Sequence, residues 1–234
     1  MIVLSRSHEQ YRYLTLLSML YGAILQISVL LDYKFISIDS MVASSATFVI
    51  SITFFLADVI AEVYGYQKAK QVVWSGLIGL LCFSTIGFVL QKLPTPPEFS
   101  QYTNAYHIIL NLLFRAGISN AIAIMIGAFF NIYFVSRWKI VLRGKYFWLR
   151  SLGSSAIGEA LYTIFVVSLV NVGVVPFPHF LQILGMSYSY KLLFDTVAIM
   201  PANLLAQFLK KRESLSDCRF AQDVMPFKNE RVFE

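Results

Sequence analysis

The chain has 234 residues, 57% of them hydrophobic and only 14% charged, with a formal net charge of +6 and a mean hydropathy of +0.65. An ordinary soluble domain is about 25% charged, and here 11 of the charged side chains fall in the last 25 positions. A soluble fold of this size could not cover so much apolar surface, so composition excludes a soluble enzyme, a disordered protein and a disulfide scaffold, and leaves a polytopic membrane protein. The positive charge does not indicate nucleic acid, because the basic residues sit in short clusters between apolar runs, as a positive-inside topology requires. Cys82 lies in an apolar run and Cys218 in the polar tail. Neither a disulfide framework nor a metal-ligand spacing is present, and no cofactor is expected. No small-x-small cleavage site follows the first apolar run, which therefore reads as a span rather than a signal peptide.

A membrane helix needs about 20 mostly apolar residues. Six segments qualify: 13–31, 41–64, 72–90, 114–136, 147–173 and 188–209. They are continuously apolar, without the alternation of a membrane β-barrel. The expected fold is an all-α, six-transmembrane-helix bundle over 13–209, with a cytoplasmic arm at 1–12 and a polar cytoplasmic tail at 210–234 that should be mobile. Outside the spans, fifteen Lys and Arg fall on the side of the N-terminal arm, the second-to-third loop (Lys68, Lys70), the fourth-to-fifth loop (Arg137, Lys139, Arg143, Lys145, Arg150) and the tail. Lys34 and Lys92 alone fall on the other side. That imbalance places both termini in the cytoplasm. Pro94, Pro96 and Pro97 break the chain after the third span, so 99–113 reads as a short interfacial helix leading into the fourth. Pro176 and Pro178 open a second apolar loop, with 179–184 as another short helix. Either these lie over a cavity on the outer face or they are simple connectors.

Charged groups inside a span are costly and usually face the bundle interior or a cavity. Asp58 and Glu62 sit four apart at the cytoplasmic end of the second span, on one helix face. Gly65 follows them, as a helix-ending glycine would. Arg115 opens the fourth span on the outer side. Glu159 lies near the middle of the fifth, and Lys191 and Asp195 sit four apart near the outer end of the sixth. Asn131 adds a neutral polar group. Each has a structural alternative: Lys191 and Asp195 pair along their own helix, Asp58 and Glu62 are solvated or pair with Lys68, Lys70 or Arg137, and Arg115 snorkels to the headgroups or pairs with Glu159. Glu159 is the hardest to explain structurally, because its depth leaves no solvent for a short acidic side chain. Gly153, Ser154, Ser155 and Gly158 around it allow close helix packing. No zinc-protease, serine-nucleophile or phosphate-loop motif is present. Buried ionisable groups on several helices without a motif for bond breaking point to a transporter, not an enzyme.

The stretch from Phe54 to Lys70, with Asp58, Glu62-Val63-Tyr64-Gly65 and Ala69-Lys70, resembles the D-x-x-x-E-V-Y-G-x-x-x-A-[KR] signature of the queuosine precursor transporters, the vitamin uptake transporter family. Phe114-Arg115-Ala116, Asn131-Ile132-Tyr133-Phe134, Trp148-Leu149-Arg150-Ser151 and Tyr190-Lys191-Leu192 resemble further family segments in the same order. The resemblance departs at two places. Many members carry Asp where this chain has Asn131, and many carry an Asp near Tyr162 where this chain has Gly158-Glu159. Either the acidic role has moved by one turn or the substrate differs.

The resemblance implies uptake of 7-cyano-7-deazaguanine or a related queuosine precursor across the cytoplasmic (inner) membrane of a bacterium. A deazaguanine offers a ring N–H and an exocyclic amine on one edge, which Glu159 can accept as a bidentate pair. Arg115, Lys191 or Asn131 can donate to the carbonyl and nitrile, and Tyr162, one turn from Glu159, is the expected stacking ring. Asp58, Glu62 and Asp195 are assigned to coupling or to structural charge. The partners implied are a small deazapurine and the lipid bilayer, without nucleic acid; a homo-oligomer or an ATPase module is left open. The alternatives are a substrate-binding subunit of an ATP-driven system, a non-transporting structural membrane protein and, third, an intramembrane enzyme.

Overall fold

The computed structural model describes residues 11–38, 41–142, 145–171, 173, 175 and onward to 213. The tail beyond 213, most of the N-terminal arm and Arg143 lie outside these residues, and with them the expectations for the two terminal segments. Six helices carry the fold: α1 (Arg12–Leu30), α2 (Ala46–Tyr64), α3 (Tyr66–Leu90), α4 (Ser100–Val141), α5 (Phe147–Asn171) and α6 (Phe177–Arg212). All six are long and apolar enough to cross a membrane, as the hydropathy runs predict.

The bundle is apolar outside, and its hydrophobic core carries buried polar and charged groups. On α6 the exposed face carries Leu193, Val197, Met200 and Leu204, each more than 60% exposed, while Ser187, Lys191 and Asp195 on the opposite face are buried. Apolar side chains are the ones a lipid-facing surface tolerates, so this polarity fits a bilayer rather than water. Helix α2 is the central element: fifteen of its nineteen residues are buried.

The helix ends depart from the sequence expectation in four places. The segment 99–113 is not a separate interfacial helix. A 3₁₀ turn, Pro97–Phe99, feeds directly into the 42-residue α4, because nothing between Ser100 and Leu113 interrupts helical hydrogen bonding. At 1.5 Å per residue α4 spans about 63 Å, roughly twice the hydrocarbon thickness. Likewise 179–184 is the first part of α6, whose Pro178 sits in the first turn, where a missing N–H is tolerated. Lys68 and Lys70 lie in α3 rather than a loop, since α2 and α3 are joined by Gly65 alone. That glycine has φ 84° and ψ 171°, a conformation closed to side-chain-bearing residues. Its N–H bonds the Ala61 carbonyl and its carbonyl accepts from Ala69.

The fourth departure is a hairpin. Met41–Ser44, expected as the start of the second span, is a strand (β2) paired antiparallel with Phe35–Ile38 (β1), in the register Phe35↔Ser44 and Ile36↔Ala43. The Ser44 hydroxyl donates to the Asp32 carbonyl at 2.8 Å and Ser45 N–H to the Lys34 carbonyl at 2.8 Å. These bonds turn the chain back into the bundle and bury Asp32 at 7% exposure.

Candidate functional site

Three polar layers run through the bundle. The first lies at the end bearing Lys139, Arg150 and Lys210, here called the basic end. Asp58 and Glu62 point inward, at 1% and 2% exposure. Glu62 Oε2 accepts from Arg150 Nη1 at 3.0 Å and Oε1 from Lys210 Nζ at 2.7 Å, with Lys139 Nζ 3.6 Å away. Lys139 also donates to the Glu62 carbonyl at 2.7 Å. One carboxylate thereby ties α2 to α4, α5 and α6. The partners are not Lys68, Lys70 or Arg137, and Arg150, counted above as a loop cation, is wholly buried. A cavity of about 360 Å³ opens beside this cluster, walled by Glu62, Trp148, Asn203, Gln207 and Lys210. Its volume falls in the range of small-molecule pockets.

One turn deeper, Asp58 Oδ1 accepts from Asn131 Nδ2 at 2.5 Å, and Oδ2 accepts from the hydroxyls of Ser151 and, at 3.1 Å, Ser155. The two quoted segments, the acidic signature of α2 and Trp148-Leu149-Arg150-Ser151, therefore meet in space: Asp58 with Ser151, Glu62 with Arg150. Beside them Gly127 of α4 and Gly158 of α5 touch backbone to backbone. A Cβ on Gly158 would stand 2.7 Å from the Gly127 carbonyl oxygen, so the small residues of α5 do permit the close approach expected of them.

The second layer is Glu159. It is 0% exposed, and neither carboxylate oxygen has a hydrogen-bond partner among the described residues. Asp195, Lys191 and Asp58 are near enough to interact with it electrostatically. No ion pair joins it to Arg115, whose guanidinium donates to the Leu169 carbonyl at 3.2 Å. An unpaired carboxylate at this depth opposes folding, because a buried charged group without a partner forfeits its hydration.

The third layer faces the far end. Lys191, 1% exposed, donates to Thr163 Oγ1 at 2.8 Å and stands 4.3 Å over the Tyr162 ring. It is not bonded to Asp195, whose Oδ2 also lacks a partner among the described residues. The Tyr162 hydroxyl donates to Asn120 Oδ1 at 2.6 Å, and Asn120 Nδ2 donates to Asp32 Oδ2. Asp32 lies beyond the first span, and burial pushes its carboxyl up to about 7, against the pull of the Asn120 hydrogen bond and the Lys191 charge. The cavity bounded by Asp32, Thr47, Tyr162, Asn171, Ser187 and Lys191 holds about 20 Å³, room for roughly one water.

The structure thus brings Glu159, Tyr162, Lys191 and Asp195 together. It places Asn131 on Asp58 and Arg115 on the α5 backbone. Sequence reasoning passed over Asp32, Asn120, Thr163 and Ser187. Asp32 follows an apolar run and precedes Tyr33-Lys34, so it reads as a loop charge, and nothing local signals that a hairpin folds it inward. Among the described residues no group of three or more His, Cys, Asp or Glu could hold a metal ion.

Comparison with known proteins agrees with this architecture. The chain is 25% identical over 171 residues to the "Probable queuosine precursor transporter" of Bacillus subtilis (strain 168), covering 71% of this chain and 72% of that protein. No solved structure matches. Residues 44–206, from the end of the hairpin's second strand to the last turns of α6 and including Asp58, Glu62, Glu159, Lys191 and Asp195, match the family described as "Putative vitamin uptake transporter". The chain belongs to this vitamin uptake transporter family and is a multi-pass membrane transporter.

Proposed function

We propose that this transporter imports a queuosine precursor, 7-cyano-7-deazaguanine or a related deazapurine, through the inner membrane of a bacterium, with both termini in the cytoplasm. The observation that carries the reading is Glu159: a fully buried carboxylate with two oxygens unbonded among the described residues, matched in number to the adjacent N–H donors of a guanine-type edge. Lys191 supplies the complementary donor. The flat base takes the Tyr162 ring face that Lys191 covers, and the ammonium then meets the ring carbonyl or nitrile. Asp58, Asn131 and Glu62 hold the frame, since each already spends its hydrogen-bonding capacity on neighbouring helices. The name of the Bacillus subtilis relative supports the same substrate class.

At about 20 Å³ the cavity beside Lys191 is too small for a bicyclic base, so admitting the cargo requires α5 and α6 to part at the far end. The larger cavity at the basic end is the proposed exit. The test is the queuosine content of tRNA in a precursor-auxotrophic host expressing the chain, with candidate precursors added one at a time. Restoration by a deazapurine at low external concentration is expected. Equal queuosine content with and without the chain would refute the substrate assignment.

A further inference from the structure

The Lys191–Thr163 hydrogen bond fixes the register between antiparallel α5 and α6. One helical turn toward the basic end from each residue lie Glu159 on α5 and Asp195 on α6. They face each other across the helix pair, with Asp195 also against the Ser155 hydroxyl. Glu159 is 0% and Asp195 8% exposed, and three of their four oxygens have no partner among the described residues.

The charges around this pair do not balance. From α6 the cation beside the pair, among the described residues, is Lys191, which acts on Glu159, Asp195 and Asp32 alike; Lys210, at the basic end of the same helix, is held by Glu62. From α2 come Asp58, held by Asn131, Ser151 and Ser155, and Glu62, held by Arg150, Lys139 and Lys210. The groups facing inward from α4, Asn120 and Asn131, are neutral, and α5 adds the Tyr162 phenol. Asp32, at the far end, has Asn120. One ammonium thus serves Glu159 and Asp195 together, and two like charges in a site of low dielectric cannot both be sustained beside it.

We propose that Glu159 and Asp195 form a proton-binding pair: the two hold one proton between them, and that proton crosses the membrane with the cargo. Cargo N–H groups require Glu159 ionised, so in the loaded state the proton sits on Asp195 and the Glu159 charge is balanced by Lys191. In each cycle an O–H bond forms at Asp195 with a proton taken from water on the entry side. The same bond breaks when the proton returns to water on the exit side, and no redox partner is involved. The coupling half of this inference rests on the transport reading above; the proton site does not.

The experiment uses the full chain in lipid vesicles and has two arms. In the first, infrared spectra at neutral pH are taken in an Asp32→Asn background, because Asp32 titrates near 7 and would add a band of its own; they are expected to show a carboxylic-acid C=O band that disappears when Glu159→Gln/Asp195→Asn is added and is altered by Asp195→Asn alone. Absence of such a band in the Asp32→Asn parent, or a band that survives the added double change, overturns the proton site whatever the cargo is. In the second, 7-cyano-7-deazaguanine is expected to accumulate against its gradient by up to about tenfold per unit of inward pH gradient. Passive equilibration, or accumulation driven by sodium instead, overturns the coupling. If this compound does not move under any gradient, the substrate assignment fails, while the infrared result still decides the proton site.

Discussion

Glu62 and Glu159 are both buried, at 2% and 0% exposure, on adjacent faces of one bundle, yet their surroundings are opposite. Glu62 has three cations from three other helices. Among the described residues Glu159 has none bonded to it, and neither of its oxygens is matched. A carboxylate of the first kind holds helices together. One of the second kind weakens the fold and persists only where it serves something other than stability. On the proposed reading, the difference separates the frame of this transporter from its working centre.

The largest effect should come from breaking the frame. Glu62→Gln removes the carboxylate charge that Arg150, Lys139 and Lys210 share, and breaking a buried ion pair from one side costs about 3–5 kcal/mol. Purified Glu62→Gln should therefore melt well below the unmodified protein or fail to accumulate in the membrane. An unchanged melting temperature would show that the Glu62 cluster is not what joins α2, α4, α5 and α6.

Asp32 is intermediate, with one side-chain donor for its carboxylate. Its folded-state value of about 7 exceeds the ordinary 3.8, so between those values the folded protein binds more protons than the unfolded chain. Stability should accordingly fall as pH rises through this window. A shift of about three units corresponds to a few kcal/mol at most. Asp32→Asn should flatten the decline in melting temperature across that window. The same slope in variant and parent would remove Asp32 as its source.

A smaller loss is expected at the α4–α5 contact. Gly158→Ala places a methyl group 2.7 Å from the Gly127 carbonyl oxygen and 2.8 Å from Asn131 Cβ, and overpacking of this kind costs about 1–3 kcal/mol. Thermal unfolding of the purified variant measures it. A gain in stability would mean that the helices part there without strain.

Much of this was legible in the sequence. The six helices follow from apolar runs of spanning length, and Glu159 announces itself as an acid in mid-span. Hydropathy measures the apolar run and not the helix, however, so it missed the far-end extensions of α4 and α6 and the joining of α2 to α3 through Gly65. It also read Met41–Ser44 as helix, because strand pairing with Phe35–Ile38 is invisible in a four-residue apolar run. The partners of buried charges were the least legible. Arg150 and Lys210 looked like loop and tail cations, and their pairing with Glu62 arises only when four helices are packed.

On the proposed reading Glu159 is a binding group and not a structural one. Its most direct test measures Glu159→Gln twice, by deazapurine uptake and by thermal stability. The amide keeps the shape but replaces one acceptor with a donor, so the bidentate pair is lost, which costs on the order of 2 kcal/mol or more and at least tenfold in affinity. Among the described residues no hydrogen bond or ion pair is lost with it. Uptake reduced at least tenfold with an unchanged or raised melting temperature is the predicted result. Normal uptake, or a fall in melting temperature like that of Glu62→Gln, would contradict it.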